Sequence, residues 1–341
     1  MKLSYGILPV LFIICMSGFL FSQELSVAGS QFLLNEEPFD MWGIRVASAA
    51  QHDTLTEALI ESLDEYKYYG INTVSIYIQG SSGGYSDPFS ANGKKIESGQ
   101  IYRLVKIIQA CAERNMVVIA GIFYQRVMGN HSQSLNLRNE SAVRNATRLF
   151  TEILRPYRNV IINIANEHNS SLYHPFTPFD FNDPQNIISL CEEVKNIDPQ
   201  RIVGGGGYHD SSNVVIGKSP WVDVLLFDTY SQDVEQNHHS GWHYDYFREQ
   251  GVSGKPIVNV EMFGGWTRQF APQGVYNLEG KFIHIQEIIE AQKRPGLYVC
   301  FHANRWCQGP ADGEPVRYDL GGNGTQEDPG IRWWFEAVRN R

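Results

Sequence analysis

Positive charge is scarce in this sequence, cysteine is scarcer, and nowhere past the first two dozen residues does an apolar run approach the length of a membrane span. Lysine and arginine number 28 against 37 aspartates and glutamates, a net charge of −9. With no basic cluster to offset that balance, nucleic acid and anionic membrane are excluded as expected partners. Of five cysteines, Cys15 lies in the apolar leader. The other four, Cys111, Cys191, Cys300 and Cys307, are too few to build a disulfide framework for a chain of this size. Cys111 and Cys191 fall in helix-like segments as buried small residues. Cys300 and Cys307 are near enough in sequence to close a short loop, an option that an export signal keeps open. There is no Pro/Ser/Thr-rich hinge, internal repeat or low-complexity segment, so one domain is the economical reading.

What is present begins with Lys2, an apolar stretch from Ile7 to Phe21 and small or polar residues around Ser22. The pattern is that of a secretory signal over residues 1–22, leaving a secreted or periplasmic domain over residues 23–341. The stretch is shorter than the roughly 20 residues a spanning helix needs. Bulky Phe12, Ile13 and Ile14 ahead of Cys15 do not suit a lipid-modified cysteine.

Beyond the leader, short and almost continuously apolar segments alternate with helical periodicity. Strands are expected over Met41–Val46, Asn72–Ile78, Met116–Ile122, Asn159–Ala165, Arg201–Gly205, Val222–Asp228, Pro256–Val260 and Gly296–Phe301. Such strands suit a parallel sheet covered on both faces. Helical stripes lie between them: Leu55, Leu59, Leu63 and Tyr66 after a capping-box spacing at Thr54–Glu57; Ile101, Leu104, Ile108 and Cys111; Val143, Ala146, Phe150 and Ile153. Asp183 before Pro184 marks another start. The segment after the fifth strand is a poor helix and the one after the sixth a short one. Eight strand-helix units predict an α/β fold, the (β/α)8 barrel, with Leu25–Phe39 as a hairpin closing its lower end.

In such a barrel the strand C-termini and the following loops form the reacting face. They carry Arg45; Tyr77 and Gln79; Tyr124, Gln125 and Arg126; Asn166 and Glu167; Tyr208, His209 and Asp210; Asp228 and Tyr230; Glu261 and Trp266; and His302 and Trp306. Two of these strands end in glutamate, Glu167 in Asn159-Val-Ile-Ile-Asn-Ile-Ala-Asn-Glu167 and Glu261 in Lys255-Pro-Ile-Val-Asn-Val-Glu261. Glycosidic cleavage needs such a pair, one carboxylic acid to protonate the departing oxygen and one carboxylate to attack the sugar or activate water. Spacing alone does not say which glutamate is which.

These features resemble the clan A glycoside hydrolases, nearest the cellulase-like family five. The likeness covers the mature chain: the opening hairpin, the Asn-Glu pair after strand four, the aromatic after strand six, the Glu after strand seven and the Trp after strand eight. It implies a retaining hydrolase of β-linked polysaccharide or oligosaccharide; the chain is read as monomeric, needing no cofactor or metal, and as endo-acting where its loops leave a cleft, exo-acting where they close a pocket. Glu167 would be acid/base and Glu261 nucleophile, Asn166 would bond the sugar 2-hydroxyl, Tyr230 would orient Glu261, and Trp306 would floor the reacting subsite. Arg45, Tyr124, His209, Trp266 and His302 join them as candidates for substrate contact. A transglycosylase would use the same pair, and a sugar-binding barrel without catalysis would keep the aromatics.

The chain departs from that family at Ser75, where an arginine is common and Arg45 is the candidate substitute, and at Tyr124 and Asp228, where histidines are common. These positions bear on the sugar rather than on the reaction. Arg45, Arg126, Arg268 and Arg305 keep an anionic glycan open. Gly204–Gly207 lacks the Lys and Ser or Thr of a phosphate loop and reads as close backbone packing. His238, His239 and His243 look like a metal cluster, but the sequence places no carboxylate convincingly behind them, and a carbohydrate-facing loop is the simpler reading.

Overall fold

The computed structural model describes residues 23–128, 136–262, 278–302, 306–307 and 316–341, so the proposed signal segment lies outside the described residues. Three short antiparallel strands come first, β1 (Leu25–Ala28), β2 (Gln31–Leu34) and β3 (Glu37–Phe39). The single expected hairpin is thus two hairpins in succession. Gly29-Ser30 makes the first turn, and Asn35 and Glu36, at φ 54° and 68°, make the second. Positive φ at both central residues is the geometry that suits a two-residue hairpin to the strand twist.

Eight parallel strands then close a barrel: β4 (Trp42–Arg45), β5 (Thr73–Tyr77), β8 (Val117–Phe123), β9 (Val160–Ala165), β10 (Ile202–Gly205), β11 (Val224–Asp228), β12 (Ile257–Glu261) and β13 (Leu297–Phe301). β13 returns to pair with β4, Val299 opposite Trp42. All eight expected strands are present in the expected order. A two-stranded ribbon, β6 (Gly80–Ser81) and β7 (Gly84–Tyr85), decorates the loop after β5.

Around them run α1 (Asp53–Tyr68), α2 (Ser98–Ala112), the short α3 (Gln125–Met128), α4 (Glu140–Leu154), α5 (Pro184–Ile197), α6 (Asp210–Lys218), α7 (Ser231–Gln236), α8 (Ser240–Glu249), α9 (Leu278–Gln292) and α10 (Arg332–Arg339). Asp183 caps α5 by accepting the Gln185 N–H, with Pro184 in the first turn as expected. The capping box at Thr54 does not form. α1 begins at Asp53, two residues ahead of a helix capped by Thr54, which puts Thr54 inside the helix and leaves His52 as a cap without a side-chain bond. The segment after the fifth strand, a poor helix on paper, forms α6, with Ile216 and Gly217 buried against the barrel. Among the described residues no helix is long and apolar enough to cross a membrane.

Alternate strand residues face opposite ways, and this divides the core. Outward, Val118, Ala120, Ile162 and Val203 meet the helices. Inward, Val117, Ile119, Ile161, Val224, Leu226, Val258 and Val260 fill the lower barrel and meet Phe32, Leu34 and Phe39 of the opening strands, which close that end. Cys111, Cys191, Cys300 and Cys307 are all buried free thiols; Cys300 faces inward while Cys307 belongs to the outer layer, so no short loop is bridged.

Above the apolar layers the barrel interior turns polar by one substitution of volume. A Cβ on Gly121 would lie 2.0 Å from the Tyr77 ring, so the absent side chain is the space Tyr77 occupies. The Tyr77 hydroxyl accepts a 2.8 Å bond from Asn163 Nδ2 and fixes the ring across the barrel. Close approach also explains the glycine run: a Cβ on Gly206 would lie 1.9 Å from the Leu226 carbonyl oxygen. Gly121→Ala is expected to cost about 1–3 kcal/mol by overpacking, seen as a lower urea midpoint; an unchanged midpoint would mean that Tyr77 does not need the gap.

Candidate active site

Arg45 ends β4 and points up the barrel axis, fully buried. Its guanidinium carbon lies 5.2 Å from the centre of the Tyr77 ring and 5.9 Å from that of Tyr124. One terminal nitrogen meets the Glu261 carboxylate and, at 3.4 Å, Asp228. The other donates to Asn166 Oδ1 at 2.6 Å and to the Tyr124 hydroxyl at 3.5 Å. Burial works against the charge, but Glu261, Tyr77, Tyr124 and Asp228 outweigh it and raise the Arg45 pKa well above its ordinary value. Burial in turn pushes the Tyr124 hydroxyl up to about 12, so the aromatic seat stays neutral.

Glu167 follows β9 through Asn166, whose N–H donates to the Phe123 carbonyl and whose carbonyl accepts from the Tyr173 hydroxyl at 3.0 Å. Its backbone is in the left-handed region, φ 41°, a conformation that costs a non-glycine residue energy and gathers at functional positions. Gln125 bridges the neighbouring pair, donating to the Glu167 carboxyl and accepting from Asn166 Nδ2 at 2.8 Å. Desolvation raises the Glu167 pKa well above the usual carboxylate range, the Glu261 and Asp228 charges add to it, and Arg45 and Arg126 oppose it.

Glu261 closes β12, its N–H held by Asn259 Oδ1 at 3.1 Å and its carbonyl by the Thr229 N–H at 3.2 Å. A register shift between Phe227 and Asp228 sets Asp228 opposite Glu261. His302 Nε2 stands 3.6 Å from the second Glu261 oxygen. Asp228 stands at this face as expected, but the sequence reading did not give its partners. Its carboxyl meets Arg45 and accepts the Glu167 backbone N–H, and burial followed by the Glu261 charge pushes its pKa up to about 7. Asp228 and Glu261 thus share one guanidinium, and Glu167 is tied to that pair through its backbone N–H.

Glu167 and Glu261 line a single cleft of about 240 Å³ at this end of the barrel, with Tyr124, Gln125, Arg126, Tyr208 and Tyr230. A larger hollow of about 390 Å³ lies elsewhere, by the opening strands around Trp42 and Arg341, and holds none of the three carboxyls. Among the candidates, Arg45, Tyr124, Asn166, Glu167, Glu261 and His302 come together. His209 stays exposed, edge-on to Tyr208. Trp266, Arg268 and Arg305 lie outside the described residues.

Two expected roles need correction. Among the described residues Tyr230 makes no hydrogen bond to Glu261; it is 47% exposed, its ring stacked on Tyr208 at 5.2 Å, and Arg45 and His302 are what Glu261 meets. Trp306 is 4% exposed, with the Arg317 guanidinium 4.4 Å from its ring centre and its Nε1 donating to the Asp319 carbonyl, so it does not floor the cleft. The three loop histidines go separate ways. His238 stacks on Trp242 at 3.7 Å, His239 meets Glu287 at 3.3 Å, and His243 lies between Asp210 and Asp233 at 2.8 and 3.4 Å. The carboxylates behind His243, which the sequence did not place, come from α6 and α7. Burial opposes the His243 charge, but these two aspartates prevail and raise its pKa to about 9.

No protein-family model matches the sequence and no curated protein aligns with it. The fold is nonetheless shared with solved structures. A putative glycoside hydrolase from Bacteroides vulgatus superposes with a TM-score of 0.65 at 14% identity, over 95% of this chain and 62% of that one. This chain therefore spans under two thirds of that protein. An endo-1,4-beta-mannanase from Rhizomucor miehei gives 0.62 at 14%, over 86% and 94% of the two chains. A beta-1,4-D-mannanase from Cryptopygus antarcticus gives 0.56 at 17%, over 94% and 95%. At such identities the likeness establishes the (β/α)8 fold.

Asp228→Asn removes a negative charge beside Glu167, so the pH at which Glu167 loses its proton is expected to fall. Side-chain carboxyl NMR titration of labelled glutamate reads this directly, and an unmoved Glu167 transition would deny the coupling.

Proposed function

We propose that the protein is a secreted, retaining glycoside hydrolase that cleaves β-linked polysaccharide within the chain, with Glu167 as acid/base and Glu261 as nucleophile. One observation carries the reading. Two carboxyl groups delivered by β9 and β12 line the same cleft in unequal surroundings, Glu167 with a raised pKa and Glu261 against the Arg45 guanidinium. A protonated acid beside a paired carboxylate is the division of labour that glycosidic cleavage requires.

In the first step Glu167 gives its proton to the departing glycosidic oxygen while a Glu261 oxygen bonds to the anomeric carbon, forming a glycosyl ester. Glu261 loses its charge in that bond. Because that charge helps hold the Glu167 pKa up, its loss lowers the pKa and readies Glu167, now deprotonated, to take a proton from water. The water opens the ester, the anomeric configuration is restored to that of the substrate, and both carboxyls return to their starting states. Asn166, held by Arg45 and Gln125, has a second amide N–H with which to meet the sugar 2-hydroxyl. The mannanases that share the fold make β-1,4-mannan the first glycan to try.

A panel of β-glycans, with product sizes measured and the first-formed anomer read by NMR, tests the reading; an inverted product would overturn the nucleophile. Glu261→Gln is expected to lose roughly 10⁴-fold or more in kcat while unfolding normally. Glu167→Gln should lose about 10²–10⁴-fold on glycan and much less on a dinitrophenyl glycoside, whose leaving group needs no proton. For the unaltered protein, kcat/KM falls as pH rises through the raised Glu167 pKa, because the acid form is what disappears.

A further inference from the structure

The cleft needs a flat apolar surface for sugar rings, and the aromatic expected to supply it is engaged elsewhere. Trp306 is buried beneath Arg317, and Tyr124 is 3% exposed against Arg45. Among the described cleft residues, the aromatic surface that remains is Tyr208 and Tyr230. Their rings stack at 5.2 Å with 24° between planes. With one face against Tyr208, the part of Tyr230 open to solvent is its far face and edge, a broad apolar surface of the kind on which pyranose C–H groups pack.

The pair has a defined side. The Tyr208 N–H donates to Asn169 Oδ1 at 3.0 Å, two residues beyond Glu167, and Ser170 lines the cleft beside Tyr208. The rings therefore stand on the Glu167 flank of the cleft. The group that protonates the leaving oxygen stands on the leaving group's side, so a ring packed here belongs to the sugar that departs.

The pair is also braced from behind. Asp233 accepts the Tyr230 N–H through one carboxylate oxygen and faces His243 with the other. On its second nitrogen His243 meets Asp210, two residues beyond Tyr208. One buried imidazole thus ties the loop after β10 to the loop after β11, the two loops that carry the rings. Phe227 and Phe247 pack against it and leave it little room to turn.

We propose that the stacked Tyr208–Tyr230 pair is the subsite for the leaving sugar of the glycan, with His243 as the residue that positions it. The proposal rests on the glycosidase reading above. It makes the leaving-side preference a property of two loops and separates it from the bond-breaking pair.

The test compares a β-oligosaccharide with the glycosyl fluoride of the same sugar chain, whose leaving group fills no sugar subsite. Tyr230→Ala is expected to lower kcat/KM on the oligosaccharide about tenfold, with a clearly smaller loss on the fluoride. Tyr230→Phe should restore most of the difference, because the ring and not the hydroxyl does the packing. His243→Gln is expected to raise KM for the oligosaccharide more than it lowers kcat. Equal losses on both substrates in Tyr230→Ala, with wild type active on both, would overturn the subsite alone; a kcat loss without a KM change in His243→Gln would overturn the positioning role. Wild-type protein that cleaves neither substrate would remove the glycosidase reading and the subsite with it.

Discussion

A guanidinium inside a barrel must be surrounded or it cannot remain charged, and most of the upper barrel answers to that demand. Desolvation of an isolated ion costs several kcal/mol even after relaxation. Arg45 is met below by the Tyr77 ring and at its sides by Tyr124, Asn166, Asp228 and Glu261. Each of these comes from a different strand end, so satisfying one charge gathers five strands' worth of side chains at a single point. The same charge then sets the site's electrostatics: it stands against Glu261 and only partly offsets the burial that keeps Glu167 protonated. Removing Arg45 would do more than free one carboxylate, since buried charges without a partner relax by taking up protons or by unfolding.

The barrel was legible because its signals are redundant. Eight apolar segments such as Val117–Phe123 have the length of strands and burial on both faces, and the stripes between them have helical period. What failed was local. The turn at Gly29-Ser30 carries only two residues of signal, and the Thr54 box competes with a helix that can start at Asp53 without a cap bond. The glycine run could be read as close packing without knowing what approached it; the carbonyl of Leu226 against Gly206 is a neighbour only the closed barrel supplies.

The site was legible where a residue's position on a strand decides its direction. Arg45 and Glu261 end β4 and β12, Asn166 and Glu167 follow β9 directly, and the barrel brings them to one mouth. It was illegible where loops decide. Tyr230 stands as far past β11 as Glu167 does past β9, yet its ring turns to Tyr208, a neighbour from the loop after β10 that spacing does not supply. Trp306 is covered by an arginine eleven positions later in the chain, Arg317, which no spacing rule pairs with it. Asp228 was placed on the reacting face without its contacts, because its link to the Glu167 backbone joins ends of β9 and β11, which are separated by β10 in the barrel.

The brace behind the two tyrosines uses Asp210, His243 and Asp233, and none of these touches Arg45. The molecule therefore contains two polar assemblies at one end of the barrel, built on different elements and joined mainly by the cleft between them. Drift in the loops after β10 and β11 can reshape the wall of the cleft while the charges gathered around Arg45 stay where they are.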